Sequence, residues 1–242
     1  MKIKENCNLC KLWLARRKTH RAYIKFQIKR AEQIQEELKP FLDKNKTSNL
    51  KLLDIGSHRG GYSIAFTKLG YDVTGLEFDL NKIKTAKEVS KEYSTIISFV
   101  KGDARNMPFK ENTFDIVILS NVIEHIKGTK KLLAEIRRVL KPKGLLYIQF
   151  PPYWGFTGGH IYFKAFPIPL HYLGNSSAMK LANLLKFDSE IHEIEKITIN
   201  NLIKLSADLN FKVKTLKTIP NLTGARRLRE MSIFCKIILE KQ

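Results

Sequence analysis

Acidic residues are in short supply: 23 Asp and Glu face 43 Lys and Arg in 242 residues, a net charge of +20. An imbalance of that size points to an anionic partner such as RNA, a phosphorylated metabolite or an acidic membrane surface, or else to a merely lysine-rich solvated face. Cysteine is scarcer still. Three are too few for a disulfide framework, and an intracellular setting keeps them reduced. Cys7 and Cys10 form a C-x-x-C, but zinc needs four ligands and only His20 lies near, so no metal is expected. No apolar run reaches the roughly 18 residues of a membrane span. The segment Met1-Lys2-Ile3-Lys4-Glu5 has no apolar signal core, and a cytoplasmic location is expected.

What is present is organised around Leu50 to Tyr62, L-K-L-L-D-I-G-S-H-R-G-G-Y. A short apolar run passes into a glycine-bearing turn and then a helical pattern, the strand–turn–helix order that opens a ligand crevice in α/β sheets. The dinucleotide fingerprint G-x-G-x-x-G lacks its middle glycine, because His58 stands between Gly56 and Gly61. Asp54 would repel a pyrophosphate yet can accept hydrogen bonds from a cationic ligand. An amino-acid-bearing nucleoside is favoured over a dinucleotide. Glu77 closes the second apolar run, where a carboxylate can hold ribose hydroxyls, and Phe78 beside it can pack on a base.

Asp54-x-Gly56-x-x-x-Gly60, Glu77, Gly102-Asp103-Ala104, the run Phe114 to His125 and Leu140-Lys141-Pro142-Lys143-Gly144 occur in that order. Together they resemble the motifs of class I S-adenosylmethionine-dependent methyltransferases, the type 11 group above all. The chain departs from the usual D-x-G-x-G-x-G at His58. The resemblance implies S-adenosyl-L-methionine as cofactor and a Rossmann-like, doubly wound, mostly parallel seven-stranded sheet with an antiparallel last strand. It also implies that Asp54 and the turn Gly56, Ser57, His58, Gly60 position the methionine portion and that Glu77 binds the ribose. Asp103 would accept from the adenine amino group, with Ala104 beside it and Phe78 on the ring. Asn121 and Ile123 would contact the methionine end.

Alternating patterns place strands at 51–55, 72–76, 96–100, 114–120, 144–150, 212–216 and 232–239. Helices fall at 61–69, 81–93, 129–140 and 198–209, after a leading helix over 21–42 broken at Pro40. The chain divides into four segments: a basic arm and helix (1–45), a cofactor-binding core (46–150), a lid insertion (151–197), and a C-terminal helix and strands (198–242). The insertion opens with Pro151 to Phe163, dense in aromatics and glycines. Loops at that sheet edge hold acceptors, so Tyr153, Trp154, His160 and Tyr162 are the candidate substrate contacts. His160 can orient or deprotonate an acceptor oxygen. His125 is either a base or a helix cap.

The Asn/Asp-Pro-Pro-aromatic motif of base-amine methyltransferases is missing after strand four, where Asn121-Val122-Ile123-Glu124 stands. The acceptor expected is therefore a small molecule, lipid or sugar, methylated on oxygen or carbon. Three rivals remain. One is an RNA methyltransferase using the basic cluster from Arg16 to Arg30. Another is a module that binds the cofactor without transferring methyl. The third is a nicotinamide oxidoreductase, disfavoured by Asp54 and the broken fingerprint.

Overall fold

Pro40 ends the leading helix as expected, and α1 (His20–Leu38) passes into a 3-10 turn, Lys39–Phe41, in the computed structural model. The structure describes residues 20–42, 49–153, 195–219 and 234–242. After α1 come β1 (Lys51–Ile55), α2 (Gly61–Lys68), β2 (Asp72–Glu77), α3 (Leu80–Glu92), β3 (Ser98–Lys101) and β4 (Phe114–Ser120). A 3-10 turn, Ile123–His125, leads to α4 (Thr129–Val139), β5 (Leu140–Phe150), α5 (Ile199–Asp208), β6 (Phe211–Ile219) and β7 (Phe234–Lys241).

The seven strands lie in the order β3-β2-β1-β4-β5-β7-β6. β1 pairs with β2 and β2 with β3 in parallel, while β6 and β7 pair antiparallel with an irregularity between Val213 and Thr215. The sheet is mixed, and its order reverses beside β1, the position where such sheets open a ligand crevice.

Contacts divide the chain into two units. Met1–Ile118 with Arg138–Leu145 form one; Leu119–Arg137 with Leu146–Gln242 form the other. In the first, Leu52, Leu53, Ile64, Phe66 and Ile116 are fully buried, each worth about 1.5–3 kcal/mol of transfer from water. Ile24 of α1 joins Ile64 and Val89 in one cluster, against which Ile28, Tyr93 and Ile97 pack. In the second, α4 buries Leu132, Leu133 and Ile136, spaced for one helical face, and β5 and β7 bury Tyr147, Ile148, Ile237 and Ile238. Thr198 caps α5 by accepting from the Asn201 N–H at 3.1 Å.

Among the strand boundaries that differ from the sequence expectation are the starts of β3 and β5. β3 begins at Ser98, its pairing with β2 starting at Thr74–Ser98, and Ile96 is left 98% exposed. β5 begins at Leu140 rather than Gly144. Pro142 disfavours helix at Lys141, Lys143 has φ +62, and the Lys141 ammonium reaches both Asp115 carboxylate oxygens, at 2.8 and 2.9 Å. Among the described residues no helix is long and apolar enough to cross a membrane.

Candidate functional site

Asp54 is the buried acid of β1, set between the apolar Leu53 and Ile55 and 2% exposed. Ser63, in the first turn of α2, donates its hydroxyl to Asp54 Oδ2 at 2.6 Å. Burial raises the Asp54 carboxyl to about 7 against an ordinary 3.8; its bonds from Ser63 oppose the rise, and the nearby charge of Glu77 adds to it. At neutral pH this carboxyl is poised between its two forms, and a cation placed beside it would favour the ionised one.

The turn between Asp54 and α2 is built on left-handed backbone. Gly60 has φ +78 and is the N-cap of α2, a conformation that a side chain would strain. His58 has φ +50, so the residue standing in place of the usual glycine keeps a glycine-like backbone. Its N–H donates to Glu77 Oε2 at 2.9 Å. Glu77, 8% exposed, also accepts from the N–H groups of Phe78 and Asp79 through Oε1, at 2.9 and 3.1 Å. Three of roughly four acceptor directions on this carboxylate are thus taken by backbone, and Oε2 keeps the open one. Ser57 is buried, with a hydroxyl that has no hydrogen-bond partner among the described residues.

Phe78 stands beside Glu77 and is 72% exposed, a large apolar face offered to solvent. Asp103 lies beyond β3 in a tight turn, where Arg105 engages it from backbone and side chain. The Arg105 N–H reaches Oδ1 at 2.8 Å, Nε reaches both oxygens at 3.0 and 3.1 Å, and Nη2 reaches Oδ2 at 2.8 Å. Ala104 is buried beside them.

Sequence reasoning missed three supports of this site. Ser63 carries no motif; its one signal is a hydroxyl in the first helical turn after an acidic strand end. Arg105 is visible in the sequence only as the neighbour of Gly102-Asp103-Ala104. The third is α1, whose Tyr23 ring meets His58 edge-on at 5.9 Å and whose Gln27 presses on Gly61 at the head of α2. These are contacts between residues about 35 apart in sequence, which no local pattern encodes.

In the second unit, Asn121 has φ +55, and its N–H donates to the Gln149 carbonyl at 2.8 Å. Its side-chain oxygen is buried and has no partner among the described residues. Ile123 is fully buried, which leaves its backbone for any ligand contact, and Glu124 is 1% exposed. His125 is exposed, its N–H bonded to the Val122 carbonyl at 2.9 Å. Tyr153 is buried, with the Lys196 ammonium 5.5 Å from its ring centre. Trp154, His160 and Tyr162 lie outside the described residues, as do Cys7 and Cys10.

Residues 53–148 match the family model described as a methyltransferase domain. An uncharacterized methyltransferase of Mycolicibacterium gilvum is 34% identical over 114 residues, 47% of this chain and 44% of that protein. A demethylmenaquinone methyltransferase of Renibacterium salmoninarum is 36% identical over 98 residues, 40% of each. The chain therefore spans less than half the length of these curated relatives. Among solved structures, a SAM-dependent methyltransferase from Methanosarcina mazei aligns at TM-score 0.59 and 21% identity, over 84% of this chain and 96% of that one. Magnesium protoporphyrin IX methyltransferase from Synechocystis, solved with bound SAH, aligns at 0.61 and 14%, over 89% and 83%. At such identities the likeness is one of fold.

Proposed function

Residues 53–148 belong to the methyltransferase domain family, and from that premise we propose that this chain transfers a methyl group from S-adenosylmethionine to a small-molecule, lipid or sugar acceptor, on oxygen or carbon. The observation that carries the reading is the pair of buried carboxylates, Asp54 at the start of the glycine turn and Glu77, which accepts from the turn's His58 N–H. The residues fit the cofactor. Asp54 offers an acceptor to a cationic methionine end, and the open direction on Glu77 Oε2 offers one to a ribose hydroxyl. Ser57 brings a hydroxyl without a partner, and exposed Phe78 offers a face to a flat base. Asp103 is proposed for the adenine amino group, with Asn121 and the Ile123 backbone at the methionine end.

The cofactor, when bound, supplies the electrophilic methyl group. The chain's own task is to hold donor and acceptor in line, which is worth up to roughly 7–11 kcal/mol in the best intramolecular cases. A base is needed only where the acceptor must lose a proton. His160 is proposed for that step, His125 in its place if His160 proves dispensable, and Tyr153, Trp154 and Tyr162 as acceptor contacts. The relative named for demethylmenaquinone fits the small-molecule side of this reading.

Calorimetric titration tests it. S-adenosylmethionine and its demethylated product should bind in the micromolar range and a nicotinamide dinucleotide not at all, after which a labelled methyl donor identifies acceptors from a panel. Binding of neither nucleoside would sink the proposal. Binding without transfer to any acceptor, RNA included, would leave a cofactor-binding module instead.

A further inference from the structure

The first unit carries a cationic face unrelated to the crevice. Arg21, Lys25 and Lys29 recur at every fourth residue of α1 and are all exposed, a single stripe along that helix. Arg21 and Lys25 line a cavity of about 440 Å³ together with Glu92 and Tyr93 from the end of α3. The Lys68 ammonium sits 4.9 Å from the centre of the Tyr93 ring, and Lys91 is exposed near it in the sequence. Among the described residues no ion pair engages Arg21, Lys25, Lys68 or Lys91, whereas Lys29 is paired with Glu32. Glu92 is the one carboxylate on the cavity wall.

The same face holds an apolar outlier. Ile96 is 98% exposed, more than any other large hydrophobic residue among those described. Three residues of chain span at most about 11 Å, so Ile96 stays close to Tyr93. Its neighbour Ile97 packs with Tyr93 and Ile28 on the cluster that ties α1 to α3. A bare isoleucine close to a tyrosine that unpaired cations meet gains nothing from a nucleic-acid backbone or a phosphorylated metabolite. At a lipid–water boundary both halves are used, cations on phosphate headgroups and the apolar side chain just below them.

We propose that this face, built from Arg21, Lys25, Lys68, Lys91, Tyr93 and Ile96, docks the protein on an anionic membrane surface. The inference is independent of the methyl-transfer reading, since none of these residues belongs to the proposed cofactor site. Each surface cation contributes about fivefold to partitioning on an anionic leaflet, so the contact is reversible and weakened by salt.

Vesicle co-sedimentation of the full chain tests it, with phosphatidylcholine alone and with about one part in three phosphatidylglycerol. The chain should pellet with the anionic vesicles only and be released as salt rises. Arg21→Glu with Lys25→Glu should lower partitioning at least about tenfold, and Ile96→Ser about fivefold, at unchanged melting temperature. The proposal is overturned if the parent ignores anionic vesicles or pellets equally with neutral ones. It is overturned too if Ile96→Ser has no effect while a single-stranded RNA oligomer binds with the same dependence on Arg21 and Lys25. That is the behaviour of a nucleic-acid surface.

Discussion

A carboxyl buried as completely as Asp54 couples stability to pH in an unusual direction. Its folded-state value, about 7, lies above its ordinary 3.8, so the folded chain holds a proton that the unfolded chain has lost. The associated stability is fully present below about pH 4, declines as pH rises, and is gone above about pH 7; at roughly 1.4 kcal/mol per pH unit the span is on the order of 4 kcal/mol. Asp54→Asn keeps an acceptor for Ser63 and cannot ionise. Denaturant unfolding should therefore show the variant gaining on the parent from pH 5 to pH 8, and an equal difference at both would remove the assignment. The same carboxyl governs affinity for a cation: S-adenosylmethionine should bind the parent more tightly as pH rises towards 7, and Asp54→Asn should flatten that rise in a calorimetric series. His58 is the companion case. Left-handed backbone costs a residue bearing a Cβ about 1–2 kcal/mol, whereas glycine removes that strain but adds about 0.4–1 kcal/mol of unfolded-state freedom. His58→Gly should then stay within about 1 kcal/mol of the parent. His58→Ala, which keeps the strain and loses the Tyr23 contact, should be the least stable of the three.

Among the elements, α1 is the one whose position bears most directly on the glycine turn. A methyl group added at Gly61 would lie 2.2 Å from Gln27 Oε1, 2.8 Å from Gln27 Cβ and 2.9 Å from Gln27 Cδ. The amide can swing aside but the Cβ moves only with the helix, so Gly61→Ala should cost about 1–3 kcal/mol by thermal melting. Adding Gln27→Ala relieves the amide contacts and leaves the Cβ contact, so it should restore only part of the loss; full restoration would mean that α1 does not press on the turn. That interlock marks where the sequence stops being legible. Asp54, Gly60 and Glu77 could be read because each sits at a fixed distance from a strand end. Gln27 and Tyr23 could not, because a helix about 35 residues upstream can lie on any face until packing chooses one, and Ser63 could not because a hydroxyl in a first helical turn carries no motif of its own. The strand character of Leu140 to Lys143 is hidden for a related reason. Pro142 signals a break, but the partner that Lys141 finds, Asp115, lies 26 residues upstream, beyond any local pattern.

Across the whole molecule, the alternation of strands and helices made the sheet legible, since the motifs spaced along it fix which loops share an edge. The segment from Trp154 to Ile194, where most of the expected acceptor contacts fall, lies outside the described residues. Composition set one further property. With a net charge of +20, repulsion among like charges opposes the compact state. Ion pairs act in the other direction, among them Lys29–Glu32, Lys39–Glu36, Arg105–Asp103, Lys141–Asp115 and Lys214–Glu240. The first three are substantially exposed, and such pairs contribute about 0–1 kcal/mol each; Lys141–Asp115 and Lys214–Glu240 are more enclosed and hold better against salt. Screening therefore removes more repulsion than attraction. The melting temperature should rise as sodium chloride is raised from about 20 mM to about 300 mM, where the Debye length shortens from roughly 20 Å to under 8 Å. Sulfate should raise it further than chloride at equal ionic strength, because exclusion of the salt from apolar surface adds to screening. A fall in melting temperature over that range would mean that the ion pairs outweigh the excess charge.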